Sequence, residues 1–341
     1  MKKLITIQDR PEWIYYVSKA AEHDFYHTWH YHSLETTGTP LLFVHEQHQD
    51  FIAIPLLKRP IPQSNYYDLT SVYGFSGPFS NKKMKDLDDD LIEQFKVDFL
   101  KFLDDEKIVS VFSRMHPFYQ QQLVLEKFGG VYDNGKTVVM DLSVNIEEQR
   151  RKYRPKTRRI INIAREKGYR LVVESGTQAI KTFFELYSKS MQRVGASEYY
   201  YFSENYISKI VNTEEYDARI VMIYDGDIVI ASTIIMLTNG IMQGYLVGVH
   251  PEYVKFSPIR YMVDELTILG RAAGINYFNL GGGVGFKDDN VFKGKIALTH
   301  LTFDYKSWRY IANPCVYKQL LAAKGINEDT DVDFFPLYRY A

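Results

Sequence analysis

Short apolar runs alternate with helically spaced apolar positions along the whole chain. Residues 41–44 and 51–57 are apolar and flank the polar Gln47-His48-Gln49-Asp50, a pattern that predicts a β-hairpin. Leu91, Phe95, Phe99 and Phe102 recur at helical spacing and predict a helix over residues 91–103. A short buried strand is expected at 108–112 and a helix at 119–128, closed by Gly129-Gly130. A further strand is expected at 138–142. The second half repeats this grammar. An amphipathic helix covers 180–191, and strands at 219–224 and 228–236 meet at Asp225-Gly226, a pair suited to a primed turn. A third strand follows at 241–249. Ser257-Pro258 opens a helix reaching about Ala273, with Ser257 as N-cap and Pro258 at the first helical position. Ala273-Gly274-Ile275 ends it, strands are expected at 277–280 and 299–305, and a last helix at 314–323. Each half thus holds a helix, a hairpin, a strand, a helix and a strand, which reads as two similar α/β modules in tandem divided within 143–150.

Composition narrows the class. The chain of 341 residues is long enough for two ordinary domains, and 45% hydrophobic content is normal for a globular protein. A net charge of −1 argues against a broad nucleic-acid-binding face and against DNA as a partner, while leaving room for a local basic patch. One cysteine, Cys315, excludes an intrachain disulfide and fits a reducing compartment. Next to Pro314 at a predicted helix start, it is expected to be a buried structural thiol. The first residues lack the apolar core of a signal peptide, and no window matches a membrane span, so a soluble cytoplasmic protein is expected.

The densest candidate chemistry lies in residues 277–295, where an apolar strand runs into Gly281-Gly282-Gly283 and then a charged segment carrying Lys293 and Lys295. Glycine runs serve where positive φ or bare backbone is needed, and successive N–H groups can form an anion-binding concavity. A tight strand exit explains the run equally well. His27, His30 and His32 invite a metal reading, but no cysteine or carboxylate falls at a persuasive spacing and no metal is assigned. Tyr199-Tyr200-Tyr201-Phe202 could line a cleft or simply pack.

Three segments, in order, carry a family resemblance. Tyr73-Gly74-Phe75-Ser76-Gly77-Pro78 is similar to the Tyr-Gly-x-x-Gly-Pro loop of FemAB-like acyltransferases. Residues 156–165, starting Lys156-Thr157-Arg158-Arg159-Ile160-Ile161, resemble their Lys-Thr-x-Arg-x-x-Ile helix. Leu280-Gly281-Gly282-Gly283, followed by Val291-Phe292-Lys293-Gly294-Lys295, resembles their Leu-Gly-Gly-Gly…Leu-Phe-x-Phe-Lys signature. The resemblance implies an α/β fold of two tandem GNAT-like domains, each a mixed sheet flanked by helices. The first would cover 1–145, with 312–341 packing back on it. The second would cover 146–311 and carry the Leu-Gly-Gly-Gly motif. It also implies transfer of an acyl or aminoacyl group to an amine of a cell-envelope or polysaccharide precursor.

Such a transfer needs a deprotonated amine, donors for the tetrahedral oxyanion and alignment of both substrates. In GNAT-like folds two neighbouring strands splay apart and bind the acyl donor; here the strands at 241–249 and 277–280 are the candidates. The following loop, residues 250–258, lacks the glycines of a coenzyme A pyrophosphate loop, so the donor is left open between acyl-CoA and aminoacyl-tRNA. Lys295 aligns with the signature lysine and is the first candidate catalytic group; Gly294 replaces the aromatic before it, which makes Lys293 the alternate. Lys156, Arg158 and Arg159 stand in a cluster with Arg150, Arg151, Lys152 and Arg154, and Arg158 shares a helical face with Arg165. Arginine forks suit phosphate. The cluster therefore reads as a site for the diphosphate of a nucleotide- or lipid-linked precursor or for a tRNA acceptor end, with a peripheral contact to the inner membrane face. The other reading is a solvated amphipathic helix. Tyr73, Gly74 and Gly77 would form a loop over the acceptor. The acidic residue that follows this Gly-Pro in peptidoglycan aminoacyltransferases is absent: Phe79-Ser80-Asn81 stands there, and Asp68 is a weak substitute base. A non-catalytic binder of a phosphorylated sugar is the reading from a different class.

Overall fold

In chain order the first elements are β1 (Lys2–Thr6), α1 (Arg10–Lys19), α2 (Trp29–Ser33), β2 (Thr39–Gln47), β3 (Asp50–Pro60), β4 (Tyr67–Thr70), β5 (Phe79–Ser80), α3 (Asp89–Asp105), β6 (Ile108–Arg114), α4 (Gln122–Leu125) and β7 (Val131–Asp141). Then come α5 (Ile146–Arg151), α6 (Pro155–Glu166), β8 (Arg170–Glu174), α7 (Gly176–Val194), α8 (Glu204–Val211), β9 (Asp217–Asp225), β10 (Ile228–Thr238) and β11 (Ile241–Val249). The chain ends with α9 (Pro258–Ala272), β12 (Tyr277–Gly281), α10 (Asn290–Ile296), β13 (Thr302–Ile311) and α11 (Pro314–Ala323). The computed structural model describes residues 1–340. Two units emerge: Met1–Gly135 together with the chain from Asp304 onward, and Lys136–Phe303.

In the first unit β1, β2, β3 and β4 pair antiparallel in that order, β4 pairs β6 in parallel, and β6 pairs β13 antiparallel. α3 buries Leu91, Phe95, Phe99 and Phe102 on this sheet, in one cluster with Phe43, Ile54 and Trp308. Asp88 starts the helix by accepting from Asp90 N–H at 2.8 Å, which satisfies one of its orphan donors. The second unit repeats the succession. β8, β9, β10 and β11 pair antiparallel, β11 pairs β12 in parallel, and β12 pairs β7 antiparallel. Its core joins Met140, Ile161, Ile223, Ile235, Met242, Met262 and Phe278, drawn from the sheet, α6 and α9.

Strand membership departs from the sequence reading at two places. The strand expected to close the first module, β7, pairs residues 138–141 with β12 of the second unit. The strand expected to close the second module, β13, pairs with β6 of the first. The units therefore divide at Lys136 and Asp304 rather than at 146 and 312. An apolar strand shows its period in sequence but not its partner. The helix expected at 119–128 shrinks to α4, because Gln121 turns inward: its amide donates to the carbonyls of Ser76 and Pro78, both at 2.8 Å, and accepts from His116 N–H at 2.7 Å. Ser257 does not cap α9; it adopts a left-handed conformation (φ 53°) and its side chain makes no cap bond. Pro258 does occupy the first helical turn. Cys315 is exposed, correcting the expected buried thiol.

Candidate functional site

β11 and β12 pair only at Ile241↔Tyr277, Met242↔Phe278 and Gln243↔Asn279. Beyond that point β11 continues to Val249 with β10 on one side and, among the described residues, no strand on the other. This divergence lies where the sequence placed the splay. Asn279 sits at its apex, 1% exposed. Its Oδ1 accepts from Thr137 Oγ1 at 2.6 Å and from Gly281 N–H at 2.9 Å, and its Nδ2 donates to Gln243 Oε1 at 3.0 Å. Three strands thus meet on one buried amide, whose oxygen accepts twice and whose nitrogen donates. The sequence reading missed Asn279, Gln243 and Thr137; the sole signal was a polar residue inside an apolar strand.

Gly281 has φ +74°, a value that glycine adopts at little cost. At Gly283 a Cβ would come within 2.1 Å of the Lys287 carbonyl oxygen, so the bend closes too tightly for any side chain; Gly282 lies between them, where a Cβ would meet the Phe286 ring at 2.5 Å. Asp289 clips the bend by accepting from Val284 N–H at 3.0 Å and caps α10 by accepting from Phe292 N–H at 2.8 Å. These N–H bonds hold its carboxyl below the usual range. The N–H groups of Gly281 and Val284 are therefore satisfied internally, which narrows the anion concavity expected from the glycine run.

α10 turns Lys295 back onto that bend, and its Nζ donates to the Gly282 carbonyl at 2.6 Å. Burial of the amine pushes its pKa down to about 8, with only Asp289 opposing the shift. Lys293 is exposed. Gly294 lies in the helix with open space where a Cβ would stand.

Lys156, Arg158 and Arg159 are exposed on α6 and have no acidic partner among the described residues. The rest of the basic cluster is less free than its sequence implied. Arg150 holds the buried Asp264 of α9 through Nη2 at 2.9 Å and Nε at 3.2 Å, and Arg165 bonds the same carboxylate and Glu265. Tyr153 OH donates to Asp264 Oδ1 at 2.8 Å. Lys152 pairs with Glu148 at 3.0 Å. The counter-charge comes from α9, a helix far along the chain, which the spacing within the cluster does not show. Arg154 backbone N–H donates to the Ala297 carbonyl at 3.0 Å, tying the start of α6 to the residue after α10. The basic helix and the lysine of the glycine bend are thus neighbours within the second unit.

The loop of Tyr73, Gly74 and Gly77 belongs to the first unit. Gly74 (φ +113°) lies against the Tyr26 ring and Gly77 (φ +81°) against the Gln121 amide, each closer than a Cβ would allow. Tyr73 is half-buried, and its carbonyl accepts from Tyr31 OH at 2.8 Å. Below the loop, His116 Nε2 lies 2.7 Å from Asp24 Oδ2 and His27 Nε2 lies 3.1 Å from the Ser76 carbonyl. Burial drives the pKa of His27 and His32 down to about 3, and both rings face backbone carbonyls. Asn81 accepts from Phe51 N–H at 3.0 Å and donates to the Gln49 carbonyl at 3.1 Å, locking the β2–β3 turn. Asp68 is fully buried, accepting from Arg59 Nε at 2.8 Å, Arg339 Nε at 2.5 Å and Tyr338 OH at 3.0 Å. A carboxylate so held is an anchor rather than a base. Tyr201 and Phe202 line an open cleft of about 570 Å³ with Phe184, Glu185, Lys189 and Gln192 of α7.

Residues 148–294 match the family described as an acetyltransferase (GNAT) domain. Among solved structures, FemX superposes with a TM-score of 0.70 at 13% identity, over 94% of this chain and 99% of FemX. L-PGS from Bacillus licheniformis gives 0.60 at 14% identity, over 93% and 97%. The C-terminal domain of a putative lysylphosphatidylglycerol synthetase from Agrobacterium fabrum gives 0.52 at 12%, over 83% and 88%. No curated protein matches the sequence. The FemAB-like resemblance therefore holds for the fold, and the matched domain is of acyltransferase type. No helix is long and apolar enough to cross a membrane among the described residues.

Proposed function

We propose that this protein is an N-acyltransferase that moves an acyl group onto an amine of a cell-envelope or polysaccharide precursor, an amino sugar or a peptidoglycan peptide. The observation that carries the reading is the opening between β11 and β12, with the desolvated Lys295 on its β12 side. On this reading the donor lies along Gly244–Gly248, where strand N–H groups without a neighbouring strand can hold its carbonyl. The acceptor amine attacks that carbonyl, a C–N bond forms, the donor's C–S or C–O bond breaks, and the proton lost by the amine ends on the departing thiol or hydroxyl. Lys295 offsets charge developing on the donor, and an amine with a pKa of about 8 can hold or release a proton near neutral pH. Lys293 is the alternate. Gly281, Gly282 and Gly283 allow the close bend, while Lys156, Arg158 and Arg159 meet the precursor's diphosphate. Tyr73 is an acceptor contact on a loop that Gly74 and Gly77 keep rigid. The protein works in the cytoplasm, with a peripheral contact to the inner membrane face.

The likeness to FemX and to a putative lysylphosphatidylglycerol synthetase supports a second reading, in which the donor is an aminoacyl-tRNA and the acceptor a peptidoglycan precursor. A third, non-catalytic reading draws on Lys295 being engaged by Gly282 and on Asn81 being structural. Mass spectrometry of an amino-sugar nucleotide incubated with the protein and either donor separates the three. N-acylation is expected with one donor. No product with either, together with nucleotide-sugar binding that Arg158→Ala abolishes, would leave a binding protein and end the enzyme reading.

A further inference from the structure

α6 buries Thr157, Ile161 and Ala164 and turns Ile163 outward, 40% exposed. Arg159, Ile163 and Lys167 follow one another at helical spacing and share one flank of the helix. At the end of that flank the Lys167 ammonium stands over the ring of Phe256, 4.7 Å from its centre, and the Lys255 ammonium lies over the same ring at 5.0 Å. Phe256 ends the short helical turn Pro251–Phe256 and is 44% exposed; Val254, on the same turn, is 41% exposed. The turn is pinned from behind. His250 N–H donates to the Ile230 carbonyl of β10 at 2.9 Å, and Tyr253 OH donates to Asp225 Oδ2 at 3.0 Å while its ring packs edge-on against Phe256. Three apolar side chains are thus held in water by fixed backbone and rimmed by ammonium groups, which marks a surface that meets a partner. Neither Lys167 nor Lys255 has an acidic partner among the described residues. Lys156, Arg159, Lys167 and Lys255 outnumber the exposed carboxylates beside them, Glu166 and Glu252, in a chain whose net charge is −1.

We propose that the Lys167 end of α6 and the turn Pro251–Phe256 form a docking surface for an anionic lipid bilayer. Ile163, Val254 and Phe256 enter the boundary between headgroups and acyl chains, where their apolar area leaves water, and the lysines extend their ammonium groups to the lipid phosphates. The apolar residues decide the occupant. A nucleic acid satisfies the cations and can stack on Phe256, but it leaves the aliphatic Ile163 and Val254 in water; a bilayer takes both kinds of group. Membrane contact is part of the functional reading above, and the surface rests on that reading for its setting and on the placed side chains for its location. Arg159 stands one turn before Ile163 on the same flank, so a docked protein carries its candidate diphosphate contacts at headgroup level, where a lipid-linked precursor presents that group.

The test is flotation of the full chain with vesicles of phosphatidylcholine alone and of phosphatidylcholine with an equal part of phosphatidylglycerol. It uses Phe256→Ser, Val254→Ser, Lys167→Gln, Lys255→Gln and the lysine double variant, with Val97→Ser and Lys85→Gln, exposed positions of the first unit, as controls. The wild type should bind the anionic vesicles in preference to the neutral ones, and salt should weaken the binding. Phe256→Ser should lower the partition constant about tenfold, as for an aromatic side chain kept in water. Each lysine variant should lower it about fivefold and the pair about twenty-fivefold, as for loss of one and two cations near a charged bilayer. The controls should bind as the wild type does. Lys167→Arg should also bind as the wild type does, so a loss seen with Gln alone reads charge and not misfolding. Equal binding to both vesicles, no binding to either, or binding that Phe256→Ser and the lysine pair leave unchanged overturns the proposal. An RNA minihelix that binds more tightly than the vesicles, through the lysines and without Val254, assigns the surface to nucleic acid and also overturns it. Acyl transfer by a protein that binds no vesicle removes the surface and leaves the transferase. Vesicle binding that the variants abolish, in a protein that transfers from no donor, removes the transferase and leaves the surface.

Discussion

On the proposed reading, Lys295 is the residue on which the chemistry turns. Its identity was legible from the glycine-lysine signature, but its environment was not, because desolvation comes from neighbours that only folding supplies. An unfolded lysine keeps its proton up to about 10.5, whereas this one releases it near 8 when folded. Unfolding therefore takes up a proton between those values, and the stability linked to this amine rises with pH across that window. Urea midpoints measured from pH 7.5 to 10.5 should climb for the wild type relative to Lys295→Met, and parallel curves would show that the amine titrates normally. Acyl transfer by Lys295→Ala should fall by orders of magnitude with little change in melting temperature; a normal rate would remove this residue from the mechanism. Asn279 makes a different point. Asn279→Ala removes the partner of the Thr137 hydroxyl and of the Gly281 N–H in a dry site and should cost about 1–3 kcal/mol. Faster hydrogen exchange at Gly281 should accompany the loss, and protection equal to the wild type would contradict it.

Among the elements, helices with strong apolar spacing were read well. α3, α9 and α11 stand within two residues of their expected bounds because the period of 3.6 is written in neighbouring residues, while α7 runs past its expected 180–191 at both ends. The errors fall where a long-range bond overrides local preference. Gln121 is drawn into the loop below Gly77, which shortens α4, and the left-handed Ser257 starts α9 without capping it. α10 is the element that most departs from the family signature, through Gly294. A Cβ there meets nothing within 4 Å, and the residue is helical. Gly294→Ala should therefore stabilise the protein by about 0.5–1 kcal/mol, the usual helix-propensity difference. A chemical denaturation midpoint that moves down would mean that α10 must unwind or bend there in the native state.

For the whole molecule, the chain's last segment is part of the first unit. α11 and residues 337–338 bury Val316, Tyr317, Leu321, Leu337 and Tyr338 against Ile61 and Val109. Tyr338 and Arg339 satisfy two of the three donor bonds to the buried Asp68. Deleting residues 312–341 should strip this cover and leave Asp68 paired with Arg59 alone; removing one partner from a buried ion pair costs about 3–5 kcal/mol. Differential calorimetry should show a lowered melting transition, and Asp68→Asn introduced into the truncated chain should recover part of that electrostatic cost. A truncated protein as stable as the full chain would show that the segment is dispensable.

The sequence by itself determined the alternation of elements and the repeated strand-and-helix succession, which follow from hydrophobic period and turn residues, local properties of the chain. The expected splay and the lysine came from the resemblance of its short motifs to a family. Tertiary structure alone decided that β7 and β13 pair in the opposite units from those their chain positions suggest. It alone decided that Asp264 neutralises Arg150 and Arg165 while Arg158 and Arg159 stay unpaired, and that Lys295 is desolvated against Gly282. These strand partners and counter-ions lie 99 or more residues apart in the chain, and even Gly282, 13 residues from Lys295, meets it only because α10 turns back; neither period nor spacing encodes which group arrives.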